Sequence, residues 1–277
     1  MILAPRYDGP TILSMDGFPN DQLEPLARQH RRMQSMLGDL TPEQWTSASR
    51  CDGWSVRDVV AHLVGVNSFW RGSVMAGLAG TPTCVLSAFD PAATPPLMVG
   101  GMSALAPEEV LHQFVSTSDA LLDVLDDLGD EGWSTPAESP AGHVPIRLLA
   151  QHALWDSWVH ERDIAIPLCI APTEEPDEVR SCLRYAAAVG PVLGIGLGRS
   201  FVGEVAVDAT EPDVCFVLRI DDSVAVRDEA VGGSIPCLRG DAVALVEALS
   251  LRAPMPASAP SEWSQLLGGL ATAFDTV

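Results

Sequence analysis

The sequence predicts a mainly α-helical chain that ends in a smaller α+β lobe. Three observations carry this expectation. Between residues 21 and 165, apolar side chains recur at the three- and four-residue spacing of helices. Short runs rich in valine and isoleucine, separated by turn residues, begin only after residue 200. A chain of 277 residues is also long enough for one or two domains with a sizeable core.

The elements follow in order. Residues 1–20, rich in proline and glycine, read as an extended leader lying on the surface. A helix over 21–38 carries Leu23, Leu26, Met33, Met36 and Leu37. Thr41 caps a short turn of helix that has Pro42 at its first position. Cys51-Asp52-Gly53-Trp54 is a turn. Ser55 then caps a helix over about 56–78, with Asp58 as its capping-box acid. Residues 79–106 hold several prolines and glycines and read as a long ordered loop. Its apolar residues (Val85, Leu86, Phe89, Leu97, Met98, Val99) fit either a cover over a pocket or simple closure of the helices.

A third helix is expected over 107–128, a loop over 129–143 and a fourth helix over 145–165 that stops before Pro167. Four such helices make a bundle able to hold a metal in its core or at one end. After a linker at 172–176, a fifth helix spans 177–198, with its glycine-rich second half expected to be irregular. Gly194-x-Gly196-x-Gly198 has neither the spacing nor the preceding strand of a phosphate loop. Strands at 201–208, 214–220, 223–228 and 234–239 and helices at 240–251 and 261–274 complete the chain. The expected division is a leader (1–20), a bundle (21–172) and an α+β domain (173–277).

Composition narrows the function. The net charge is −21, and all 16 basic residues are arginine. That excludes a nucleic-acid partner, which needs a positive patch facing phosphates, and an anionic membrane surface. The lack of lysine excludes Schiff-base chemistry. No run of 18 apolar residues suggests a membrane span, and the first residues lack the apolar core of a secretory signal, so a cytoplasmic protein is expected. The six cysteines are scattered, with no Cys-x-x-Cys pair, and read as mostly reduced packing residues. A small-molecule substrate suits this composition, and a homodimer is compatible with it.

The chemistry concentrates in His62 and the segment 152–163. Asp156 and His160 are four residues apart and leave one helix face about a turn apart. They can share a divalent metal, with His62 from a second helix as third ligand. Three protein ligands and an open position describe a catalytic zinc site. His152 lies on the same face, but eight residues span ~12 Å, so Asp156 pairs with His160 or with His152. The alternative is a helix whose polar groups are buried and hydrogen-bonded without metal. His30 and His112 are expected on solvated faces, and His143 lines the pocket or caps a turn. Asp163 is placed to hydrogen-bond a ligand, or Arg162 and Arg57 pair with nearby acids. Trp54, Trp70, Trp155 and Trp158 read as bundle core.

The stretch Cys51-Asp52-Gly53-Trp54-Ser55-Val56-Arg57-Asp58-Val59-Val60-Ala61-His62-Leu63 resembles the opening signature of the DinB-like, mycothiol-dependent maleylpyruvate isomerases. A later signature of that family, an acid, a histidine four residues on and an aspartate three beyond, matches Asp156, His160 and Asp163. The family has glutamate where this chain has Asp156, one methylene shorter. The resemblance implies a metal held by His62, Asp156 and His160, zinc first among candidates, and mycothiol as cosubstrate. The end of the chain is similar to the family's sterol-carrier-like lobe over residues 239–252, with Leu251 where the family often has glycine. It makes Arg252 the candidate for binding an acid substrate; the plainer reading is a cation at a helix C-terminus. The implied activity is a thiol-using transferase or isomerase. A metal-dependent hydrolase and a binding module without catalysis stay open beside it.

Overall fold

The structure, a computed structural model, describes residues 3–16, 22–199 and 201–274. It is mainly helical with a mixed sheet. Strand β1 (Leu13–Met15) precedes α1 (Leu23–Gly38), α2 (Pro42–Trp45) and α3 (Val56–Leu78). A short 3-10 turn (Val85–Ala88), α4 (Thr94–Gly101), α5 (Pro107–Asp126) and α6 (Asp130–Trp133) follow. A hairpin of β2 (Pro136–Ser139) and β3 (Gly142–Pro145) leads into α7 (Ile146–Ala165) and α8 (Pro176–Gly196). The rest comprises β4 (Gly203–Thr210), β5 (Val214–Ile220), β6 (Val224–Arg227), β7 (Cys237–Asp241), α9 (Ala242–Leu249) and α10 (Ser261–Phe274).

The helix starts obey their local chemistry. Thr41 and Gln44 form a reciprocal capping box on α2, and Ser55 and Asp58 form one on α3. The Ser55 side chain accepts from the Asp58 N–H, and Asp58 accepts from the Ser55 N–H at 3.0 Å. That double lock fixes the first turn of the helix that carries His62. Helices α1 and α3 each pack against both α5 and α7. Helix α7 is the spine: all its residues are buried except Arg147 and Asp156. A helix apolar or hydrogen-bonded on nearly every side belongs inside the molecule, and its far side packs on α8.

The five-stranded sheet runs β1-β6-β5-β4-β7. Strands β4, β5 and β6 form an antiparallel meander, while β7 joins β4 and β1 joins β6 in parallel. Helix α8 packs on β5, β6, α9 and α10. One apolar cluster runs without a break from Trp70, Trp155 and Trp158 through Val189 to Leu245 and Trp263, so the helical part and the sheet part share a core. A second cluster, with Met33, Val60, Leu63, Phe114 and Ile164, fills the end of the helices near α2.

Several expectations from sequence are corrected. The leader is not a surface strap: Leu3, Ile12 and Leu13 are at most 5% exposed, and residues 13–15 form the edge strand β1. Ile12 and Leu13 bury their side chains against the lobe, an apolar gain that the surrounding proline and glycine obscure. Residues 17–21, which include the expected start of the first helix, lie outside the described residues. The segment 79–106 contains helical turns, with α4 packed on α3. The loop 129–143 contains α6 and most of the hairpin. Helix α8 stays continuous through Pro191 to Gly196, and its Gly190 and Gly194 let α10 approach closely. The fourth strand lies later than expected, at Cys237–Asp241, and Asp241 caps α9 by accepting from Ala244 N–H at 2.9 Å.

Candidate metal centre

Helix α3 delivers His62 and α7 delivers Asp156 and His160. One ligand atom from each of the three lies within 4.8 Å of the others. The His62 and His160 rings are 5.1 Å apart, centre to centre, and edge-on. His160 Nε2 is 3.7 Å from an Asp156 oxygen. The trio predicted from sequence is thus brought together. His152 is not part of it: its Nδ1 meets the Tyr185 hydroxyl at 2.6 Å, and Trp70, Trp155 and Tyr185 pack around its ring. The choice that spacing left open, His152 or His160, falls to His160. Access is also built in, because Asp156 keeps 18% of its side chain exposed on a helix otherwise nearly all buried.

Behind His160 stands Asp163. His160 Nδ1 lies 3.0 Å from Asp163 Oδ2. An ionised carboxylate can only accept, so Nδ1 donates to Asp163, and Nε2 is the nitrogen that faces Asp156. Asp163 is fully buried, and burial alone would raise its pKa. Hydrogen bonds and charge from His160 and Arg252 outweigh that and hold it well below the ordinary carboxylate range. Arg252 grips it through Nε (2.9 Å) and Nη2 (2.9 Å), and Arg50 Nε adds a bond at 3.0 Å. Arg50 and Arg162 in turn reach Glu247 of α9, at 2.6 and 2.7 Å. Arg162 also lies over the Trp158 ring and pairs with Glu174, and Arg57 pairs with Asp58. The α+β part of the chain therefore supplies two side chains, Glu247 and Arg252, to the surroundings of His160.

The charges in the trio differ. Burial, helped by His160, pushes His62 down to about 3, so it is neutral. Burial raises Asp156, against the pull of His160 and Arg252. Burial opposes charge on His160, yet Cys51, Asp163 and Asp156 prevail and its pKa stands well above the ordinary value. His62 Nδ1 is buried and, among the described residues, has no hydrogen-bond partner. A buried, neutral, partnerless imidazole nitrogen beside a carboxylate and a second imidazole oriented by an outer carboxylate fits a divalent ion.

Sequence reasoning missed Cys51, Arg50 and Glu247. The Cys51 thiol lies 3.2 Å from Asp163 Oδ2 and 3.7 Å from His160 Nδ1, so it is no mere packing residue. Cys84, Cys169 and Cys215 are exposed, and Cys182 is buried. Cys51 opens the turn that starts α3, which placed it in the recognised signature, but no spacing reveals that the turn folds under α7. His30 is also corrected: it is fully buried, its ring edge-on to Phe114, not solvated. His143 holds the hairpin through Thr83 O at 2.8 Å, and His112 is exposed.

Comparison with known proteins gives the following. The sequence profile described as the mycothiol maleylpyruvate isomerase N-terminal domain matches residues 26–165. No curated protein sequence matches the chain. Two solved structures share the fold. A mycothiol-dependent maleylpyruvate isomerase superposes with a TM-score of 0.62 at 14% identity, covering 85% of this chain and 90% of that one. A histidine-to-alanine mutant described under the same enzyme name gives 0.60 at 15% identity, with the same coverage of both chains. Among the described residues, no helix is long and apolar enough to cross a membrane.

Proposed function

The chain belongs to the family defined by the mycothiol maleylpyruvate isomerase N-terminal domain, and on that premise we propose that it is a metal-dependent enzyme that uses mycothiol to act on a small unsaturated acid. The observation that carries the reading is the convergence of His62, Asp156 and His160, with Asp163 behind His160. The trio would hold zinc and leave a coordination position open. The long helices α1, α3, α5 and α7 are read as a DinB-like bundle, and the sheet with α8, α9 and α10 as the sterol-carrier-like lobe.

A divalent ion at the trio supplies a Lewis acid that makes a nearby thiol acidic close to neutral pH. The chain's own groups do the rest. Asp163 fixes the ring of His160. Arg252, with Nε and Nη2 on Asp163, has Nη1 left to take a carboxylate of the substrate, the role that the family resemblance implies. Met98 of α4 lies against Gly65, three residues past His62, which supports residues 94–101 as a wall of the substrate cavity. The thiol sulfur adds to one carbon of a cis double bond and a proton to the other. Rotation about the new single bond and loss of the same thiol and proton leave the trans isomer. If the adduct is retained, the outcome is transfer. No cysteine of the chain enters either scheme.

The test is elemental analysis of the purified protein beside His62→Ala and His160→Ala, followed by turnover of maleylpyruvate with and without mycothiol. Near-stoichiometric zinc lost in both variants, with turnover that requires the thiol, is the expected result. Cleavage of the substrate without thiol makes the protein a hydrolase. No metal after reconstitution, with no turnover, overturns the proposal in favour of a binding module.

A further inference from the structure

A cavity of about 340 Å³ opens in the α+β part of the chain, between α8 and α10. That volume lies in the range of small-molecule sites. Its buried lining is Pro191, Gly194, Ile220 and Leu266, with Ile195 and Phe201 half-buried. The polar groups come from two exposed side chains, Arg199 and Gln265. An apolar floor with polar groups toward solvent suits a ligand with an apolar body and one charged end.

The charge is set by Arg199. Helix α8 ends in a Schellman turn: Gly198 has a φ of +71°, its N–H reaches Ile195 O at 3.0 Å, and the Arg199 N–H reaches Gly194 O at 2.8 Å. The chain is thereby turned back toward α10, and the guanidinium lies against Gly268, where an added Cβ would stand 2.7 Å from Nη1. Among the described residues Arg199 makes no ion pair and no side-chain hydrogen bond, although acids outnumber arginines 37 to 16 and most other arginines hold a carboxylate. A guanidinium held at an apolar cavity without a counter-charge is a ready partner for one.

We infer that this cavity binds a small amphipathic carboxylate, with its hydrocarbon body on Ile220, Phe201 and Leu266 and its carboxylate on Arg199. Gln265 is placed to donate a further hydrogen bond. The inference stands apart from the metal centre and does not depend on the proposed reaction.

The experiment is calorimetric titration of the full-length protein with sodium octanoate, and with octan-1-ol as the uncharged body of the same length. Saturable octanoate binding is expected in the wild type and in His62→Ala. Arg199→Gln should weaken it by at least about tenfold, and Gly268→Ala, whose methyl displaces the guanidinium, should weaken it less. Octanol should bind poorly. Absent saturable binding in the wild type at millimolar octanoate, equal affinity in Arg199→Gln, or octanol binding as well as octanoate would each overturn the inference. Loss in His62→Ala with retention in Arg199→Gln would place the anion at the metal centre instead and overturn it equally.

Discussion

Arg252 and Arg199 leave their helices in the same way and meet opposite surroundings. Each follows a residue with positive φ, Leu251 at +61° and Gly198 at +71°. Each donates its own N–H to the carbonyl five residues back, Glu247 and Gly194, at 2.8 Å. Arg252 then lands on the buried carboxylate of Asp163. Arg199 lands on an apolar cavity and, among the described residues, pairs with no carboxylate. A helix terminus sets where an arginine starts, and what a distant segment brings to it decides whether it becomes structure or a binding group.

Asp163→Asn tests that contrast most strongly. It leaves Arg50 and Arg252 facing a neutral amide, and breaking a buried pair in this way costs about 3–5 kcal/mol. Urea unfolding should show the loss, and titration of the apoprotein with zinc should show affinity weakened about 10–100-fold. Arg199→Gln, an exposed change, should stay within about 0.5 kcal/mol. Equal effects from the two variants would break the comparison. Glu247→Gln acts one step further out, on Arg50 and Arg162. A loss of about 1.5–3 kcal/mol is expected, with a smaller drop in zinc affinity than Asp163→Asn gives.

What was legible in the sequence follows the same line. The capping boxes at Thr41 and Ser55 and the pair Asp156–His160 are local, and they were readable because helix geometry alone relates their residues. His62 was readable as a histidine on a second helix that could supply a third ligand, and the resemblance strengthened that choice, since nothing in spacing ties residue 62 to residue 160. Arg50, Cys51 and Glu247 depend on three segments meeting around Asp163, and a one-dimensional pattern does not carry that. The edge strand Leu13–Met15 was hidden for a similar reason: its partner, β6, is some two hundred residues away in sequence. His30 was misjudged because Arg28, Arg31 and Arg32 surround it in sequence. Arg31 turns outward to Glu24, and Arg28 and Arg32 reach sideways to Glu161 of α7 and to Asp177 and Glu178 of α8, while His30 turns inward to Phe114.

His30 sharpens the comparison from the other side, as a buried polar group with no partner. Among the described residues neither ring nitrogen has a hydrogen bond, and burial lowers its pKa to about 4. His30→Leu should stabilise the protein by about 1–3 kcal/mol near neutral pH, since it removes unsatisfied buried nitrogens. The pH dependence has a definite sign. Between pH 6.5 and about 4 the unfolded chain binds a proton at this site and the folded protein does not, so stability falls as pH falls through that window. The gap is worth at most about 3 kcal/mol. Unfolding curves for His30→Leu should be flatter there. His152, held neutral down to about 3, leaves a residual slope in the variant.

The smallest effect separates the two helix ends themselves. Gly198 has open space where a Cβ would point, so Gly198→Ala meets no steric obstacle and should cost about 1 kcal/mol, the price of a left-handed non-glycine residue. Leu251 already bears that strain, and it persists because the half-buried side chain packs on the core shared by α9 and the sheet. Leu251→Gly relieves about 1 kcal/mol of strain and removes apolar contacts of about the same size. The two terms nearly cancel, and the net change in thermal unfolding should be smaller than for Gly198→Ala. A clear gain in stability from Leu251→Gly would mean that the leucine contributes little packing. The turn would then serve only to aim Arg252 at Asp163, and zinc affinity should be unchanged in that variant.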